Sequence, residues 1–111
     1  MTLREKLKAK LPPERTVVVD GDEFRVVGLT RSVRLDKLAE SRDEDGKLDS
    51  PALERALLSA CVIDTDGQPV FGNGDASCWD NVPAATSAPL VQAVIEVNGL
   101  DAQDTGRAEK N

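Results

Sequence analysis

The stretch Thr16-Val17-Val18-Val19-Asp20-Gly21-Asp22-Glu23-Phe24-Arg25-Val26-Val27 joins two β-branched, apolar runs through an Asp-Gly turn. That arrangement predicts a β-hairpin over residues 15–28, because an Asp-Gly pair tolerates the positive φ angles of a tight two-residue turn. A lone hairpin is marginal in water, so other elements must cover its apolar face.

Upstream, Leu3-Arg4-Glu5-Lys6-Leu7-Lys8-Ala9-Lys10-Leu11 places Leu3, Leu7 and Leu11 at i, i+4 and i+8 with charge between them, and Pro12-Pro13 follows. The spacing predicts a short amphipathic helix over 1–12, stopped by proline. Two or three turns are marginal alone, so this leucine stripe either docks on the domain or waits for a partner.

Downstream of the hairpin the apolar period lengthens. Leu29, Val33, Leu38 and Ala39 can share one side of a helix from Thr30 to about Ser41, capped by Thr30 or Ser32. Arg42-Asp43-Glu44-Asp45-Gly46-Lys47 then reads as a solvated loop. With Gly46 counted as the sixth position of a calcium loop, Ser41, Asp43, Asp45, Leu48 and Asp49 fall at sensible places. The last position should be a bidentate glutamate, but it is Ala52 after Pro51, which favours a plain acidic linker.

Ser50-Pro51-Ala52-Leu53-Glu54-Arg55-Ala56-Leu57-Leu58-Ser59-Ala60-Cys61-Val62 is the clearest helix, with Ser50 expected as its N-cap and Pro51 in the first helical position. Its stripe of Leu53, Leu57, Ala60 and Cys61, broadened by Ala56 and Leu58, marks it as the central core helix. Residues 62–71 place Asp66-Gly67 between apolar anchors, predicting a short extended excursion or a second small hairpin. Gly72-Asn73-Gly74-Asp75 is another turn, with Asp75 a candidate cap for a single turn carrying Trp79. Trp79 is either a core plug or a partner anchor, and the scarcity of other large side chains favours burial. A last helix is expected from Thr86 or Ser87, with Pro89 in its first turn, Leu90, Val91, Val94, Ile95 and Val97 along one side, and Asn98-Gly99 as its stop. These elements predict an α+β fold: one small domain over 1–100, in which the N-terminal hairpin packs against mainly α-helical elements over 30–98. A mobile acidic tail is expected over 101–111.

Composition narrows function. The chain has 111 residues with two Phe, one Trp and no Tyr, so its core must be thin and built from aliphatic side chains. A thin core with broad apolar stripes favours self-association or support from a partner. The formal net charge is -6, and it is uneven: residues 1–35 carry eight Lys or Arg against five acids, whereas residues 36–111 carry six against fifteen. Such a field repels nucleic acid and anionic membranes and favours a basic protein partner. No run is long and apolar enough to span a bilayer and the first residues lack a signal-peptide core, so a cytoplasmic location is expected, with Cys61 and Cys78 as free thiols. Histidine is absent, the cysteines lack paired zinc spacing, and no phosphate-cradling glycine loop occurs, so neither an enzyme nor a cofactor is expected.

The chain resembles the tail assembly chaperones of long-tailed phages and prophages. The likeness lies in the opening Leu3-Arg4-Glu5-Lys6-Leu7, the Val-rich hairpin followed by a helix near Thr30, and Leu57-Leu58-Ser59-Ala60-Cys61-Val62-Ile63-Asp64-Thr65-Asp66-Gly67-Gln68-Pro69-Val70-Phe71. Val97-Asn98-Gly99-Leu100 and the ending Glu109-Lys110-Asn111 belong to it too. The resemblance implies a non-enzymatic escort in the bacterial host cytoplasm that is absent from the mature virion. Such an escort binds the long helical tape measure protein and helps recruit major tail tube subunits. Candidate partner contacts are Leu3, Leu7 and Leu11 on the first helix and exposed members of the last stripe among Leu90, Val94 and Val97. Asp101 and Asp104 in the tail are candidates for steering a basic partner. The alternative is a small acidic regulatory or immunity-type protein that neutralises a basic target.

Overall fold

A computed structural model describes residues 1–100. Its elements are α1 (Leu3–Ala9), β1 (Glu14–Val19), β2 (Asp22–Val27), α2 (Arg31–Glu40), α3 (Ser50–Cys61), β3 (Val62–Ile63), a 3-10 helix (Asn73–Asn81) and α4 (Ala84–Val97). The architecture is α+β, a hairpin followed by mainly helical elements, as the sequence predicts. The tail over 101–111, expected to be mobile, lies outside the described residues.

β1 and β2 pair antiparallel with Val17 opposite Phe24 and Val19 opposite Asp22. The two residues between them, Asp20 and Gly21, have φ of 53° and 84°, the double positive φ that matches the twist of a hairpin. Alternation then sends Val17, Val19, Phe24 and Val26 to one face, where Val19 and Val26 are buried and Val17 and Phe24 pack at the margin. On the opposite face Val18 stays exposed, and Arg25 Nε donates to Glu14 Oε1 at 2.6 Å. Residues 62–71 turn out to do both things expected of them. Val62–Ile63 adds a third strand beside β2, and Ile63 bridges back to Pro69 around the Asp66-Gly67 turn.

α4 lies across β1 and β2 and also touches α3, burying Leu90, Ala93, Val94 and Val97. It begins at Ala84, earlier than the expected Thr86 or Ser87, and Pro89 sits inside it. The Pro83 carbonyl accepts from the Thr86 and Ser87 amides at 2.9 and 3.1 Å, which closes the first turn ahead of the proline. Pro89 then forfeits only its own amide bond, that to the Ala85 carbonyl. At the other end Asn98-Gly99 stops the helix as predicted: Gly99 takes φ of 68°, its N–H reaches the Glu96 carbonyl at 3.2 Å, and the Leu100 N–H reaches Ile95 at 2.8 Å. That end passes so close to the hairpin that a Cβ on Gly28 would lie 3.0 Å from both Pro13 Cδ and the Val97 carbonyl oxygen.

Three expectations about the middle of the chain need correction; one is the capping role of Asp75, which lies inside the 3-10 helix carrying Trp79, a helix with no side-chain cap bond. The N-cap of α3 is Asp49, whose Oδ1 accepts the Ala52 N–H at 3.1 Å, and Ser50 is the first helical residue. In α2, capped by Thr30, the expected stripe is only partly covered: Leu29 packs against the core and Leu38 is half-buried, but Val33 is 37 % exposed and Ala39 is exposed, while Lys37 and Ser41 are buried. The Lys37 side chain is buried, and its Nζ donates to Glu40 Oε2 at 3.4 Å. Ser41 Oγ returns to the Lys37 carbonyl at 2.7 Å.

The acidic loop after α2 and the turn after β3 are built alike. In Asp43-Glu44-Asp45-Gly46-Lys47, Asp43 Oδ1 accepts the amides of Asp45 and Lys47, both at 2.9 Å. In Asp64-Thr65-Asp66-Gly67-Gln68, Asp64 Oδ1 accepts those of Asp66 and Gln68 at 2.9 and 3.0 Å. Each glycine has positive φ, 78° for Gly46 and 83° for Gly67. The carboxylate thus closes its own backbone turn, which is the use an aspartate finds most cheaply in a loop.

The core gathers these elements around Val26, Cys61, Val62 and Leu90, the largest fully buried side chains. Trp79 plugs one side, edge-on to Phe71 with ring centroids 4.9 Å apart. Its Nε1 and Ser59 Oγ are buried with no hydrogen-bond partner among the described residues.

Candidate functional site

α1 is held by its own ends and not by the rest of the protein. Thr2 Oγ1 accepts the Glu5 N–H at 3.2 Å, and the Glu5 carboxylate accepts the Thr2 N–H at 3.4 Å, a reciprocal capping box. The signature Thr-x-x-Glu is visible in the sequence, although the stripe alone does not draw attention to it. Glu5 in the first turn and Lys6 and Lys8 in the last also suit the helix dipole. The helix stops at Ala9, short of Leu11. Lys10 is already extended, and Leu11 precedes Pro12, which disfavours the helical region for it.

Nothing in α1 is buried. Leu3, Leu7 and Leu11 are 79, 68 and 87 % exposed. Met1, Leu3, Lys6, Leu7, Ala9 and Lys10 line one shallow groove, so two lysines stand on the same side as the leucines. The other α1 cations, Arg4 and Lys8, are exposed too. Beyond the helix, the Pro13 carbonyl accepts the Gly28 N–H at 2.8 Å, which ties the chain leaving α1 to the end of β2.

The second half of the expected contact set is elsewhere. Leu90, Val94 and Val97 are only 1, 2 and 9 % exposed, so they are core residues and not an outward stripe. The face that carries them is used up in covering β1, β2 and α3. Asp101 and Asp104 lie outside the described residues.

A residue the sequence does not advertise holds this region together. Asn98 Oδ1 accepts the Leu29 N–H at 2.8 Å, its Nδ2 donates to the Val94 carbonyl at 2.9 Å, and the same nitrogen lies 3.6 Å from Cys61 Sγ. Burial pushes the Cys61 thiol up from its ordinary pKa, and the Asn98 hydrogen bond and the Lys37 charge offset part of that. Cys61 is thus a buried apolar residue, and Cys78 is free and half-buried. Among the described residues no group of His, Cys, Asp or Glu is placed to hold a metal ion, and no helix is long and apolar enough to cross a membrane.

Fold and surface together define a small α+β protein that displays an unburied, locally capped amphipathic helix. No protein-family model matches the chain, and no curated protein matches it. Among solved structures, the bacteriophage HK97 tail assembly chaperone is similar over 86 % of this chain and 98 % of its own, with 16 % identity and a TM-score of 0.49.

Proposed function

We propose that this protein is a phage or prophage tail assembly chaperone that acts by reversible binding of the tape measure protein and helps recruit major tail tube subunits. The observation that supports this reading best is the leucine stripe of α1. A helix this short gains little from propensity, and one that shows Leu3 and Leu7 to water is placed to gain stability when a partner covers them. The sequence motifs quoted for the family supply the identity of the partner. The chaperone works in the host cytoplasm and leaves before the tail matures.

The test is capture. Co-expressed with the tape measure protein of its own genome, the wild-type chain is expected to co-purify with it. Leu3→Ser with Leu7→Ser should reduce capture at least about tenfold while the circular dichroism spectrum keeps its helical signal. No capture by the wild-type chain, or persistence of the protein in purified mature tails, would contradict the role. A second reading, an acidic regulatory protein bound to a basic target, is favoured by the acid surplus after residue 35. A genome with no long helical tape measure gene immediately downstream would favour it over the chaperone.

A further inference from the structure

We propose that α1 selects a particular kind of surface on its protein partner: an amphipathic helix whose apolar stripe is flanked by carboxylates about one helical turn apart. The inference rests on α1 being the partner contact, and it concerns the chemistry of what α1 touches. Lys6 and Lys10 line the same groove as Leu3 and Leu7, so any side chain that covers the leucines is brought against two ammonium groups. The one acid in the helix, Glu5, is engaged with the Thr2 amide. The ion pairs among the described residues are Arg15–Glu96, Arg25–Glu14, Lys37–Glu40 and Arg55–Asp80, and none involves α1. Four cations, Arg4, Lys6, Lys8 and Lys10, therefore surround an exposed leucine stripe with no ion-pair partner among the described residues. An apolar partner without acids would leave these charges partly dehydrated and unmatched, whereas carboxylates beside its stripe would match them and set the register.

Other surfaces fit less well. A helix of seven residues is about 10 Å long. So short a helix would hold the acid-rich body close to an anionic bilayer, where like charges repel. Nucleic acid is disfavoured by the same body and by the lack of any aromatic residue in α1 to stack on bases. Two copies joined α1 to α1 would set lysine against lysine.

Fluorescent helical peptides with one common leucine stripe, flanked by Glu, Gln or Lys, test the idea when titrated with the full chain. The Glu-flanked peptide should bind about tenfold more tightly than the Gln-flanked one, the Lys-flanked one more weakly still, and the Glu advantage should shrink at high salt. Lys6→Gln with Lys10→Gln should erase the preference, bringing the Glu- and Gln-flanked affinities within about twofold of each other. Equal binding of Glu and Gln peptides, or a preference that survives in the double variant, overturns the inference. So does tighter binding to phosphatidylserine vesicles than to the Glu-flanked peptide, or a sedimenting oligomer of the chain abolished by Leu3→Ser with Leu7→Ser. The tape measure protein separates this inference from the function itself. Capture lost with the serine variant but untouched by the glutamine variant sinks only the charge rule, whereas no capture by the wild-type chain sinks the chaperone.

Discussion

α1 and α4 both carry aliphatic residues at helical spacing, and they meet opposite fates. In α4, Leu90 and Val94 are sealed between the hairpin and α3, while in α1 the equivalent pair, Leu3 and Leu7, stands in water. Their ends differ in the same sense. α1 is secured by a capping box made wholly of its own residues. α4 has no side-chain cap at its start, and its far end is secured by Asn98, which reaches across to Leu29. One helix is stabilised locally and leaves its apolar face free; the other is stabilised by that face. An apolar stripe therefore reports that a helix has a face to cover, and its caps and long-range bonds report whether the chain itself covers it.

The sharpest way to break this contrast is to truncate matched leucines. Leu90→Ala should cost about 2–5 kcal/mol in urea denaturation, because it removes a fully buried side chain and leaves a cavity. Leu7→Ala should stay within about 0.5 kcal/mol, and equal losses would show that α1 packs on the body. Asn98→Ala comes next, at about 1–3 kcal/mol, since it strands the partly buried Leu29 amide. Hydrogen exchange at that amide should speed up with the loss. Asp49→Ala should cost about 1 kcal/mol as a lost N-cap, whereas Ser50→Ala should fall within about 0.5 kcal/mol.

The smallest effect belongs to the solvent face of the hairpin. Hydrogen bonding to Arg25, with its charge, holds the Glu14 carboxyl below its ordinary 4.5. The folded value is therefore below the unfolded one, so the pair's contribution is complete above the ordinary carboxylate range and is lost as pH falls below it. Arg25→Gln should flatten the acid limb of a stability profile only slightly, because both groups are solvated.

What the sequence discloses follows from how local each feature is. The hairpin is legible because Asp20-Gly21 and the flanking valines settle its turn and alternation within a dozen residues. The stop of α4 is legible for the same reason. The fate of Lys37 is not, since only the packing of α2 against α3 decides that this lysine is buried more deeply than Val33, one turn earlier on the same face. The Asp-x-Asp-Gly loops fall between these cases. Their spacing is plain, but an aspartate that closes its own turn and one that awaits a cation read alike until the amides of Asp45 and Lys47 are seen on Asp43. The candidate site divides the same way. The period of Leu3, Leu7 and Leu11 is in the sequence, while their exposure, and the burial of Leu90, Val94 and Val97, belong to the fold.

The joint between Asn98 and Gly99 also bears on how the protein ages. When glycine follows asparagine, its backbone nitrogen is little hindered from attacking the side-chain amide carbon, expelling ammonia and closing a succinimide that hydrolyses to aspartate or isoaspartate. Here the Gly99 N–H is committed to the Glu96 carbonyl, and the Asn98 amide is gripped from both sides by Leu29 and Val94. Ring closure must wait for the last turn of α4 to open, and each conversion removes the donor to Val94 and adds a negative charge beside Cys61. The end of α4 is thus a slow chemical clock, in which damage at Asn98 accumulates in proportion to the time the helix end spends open.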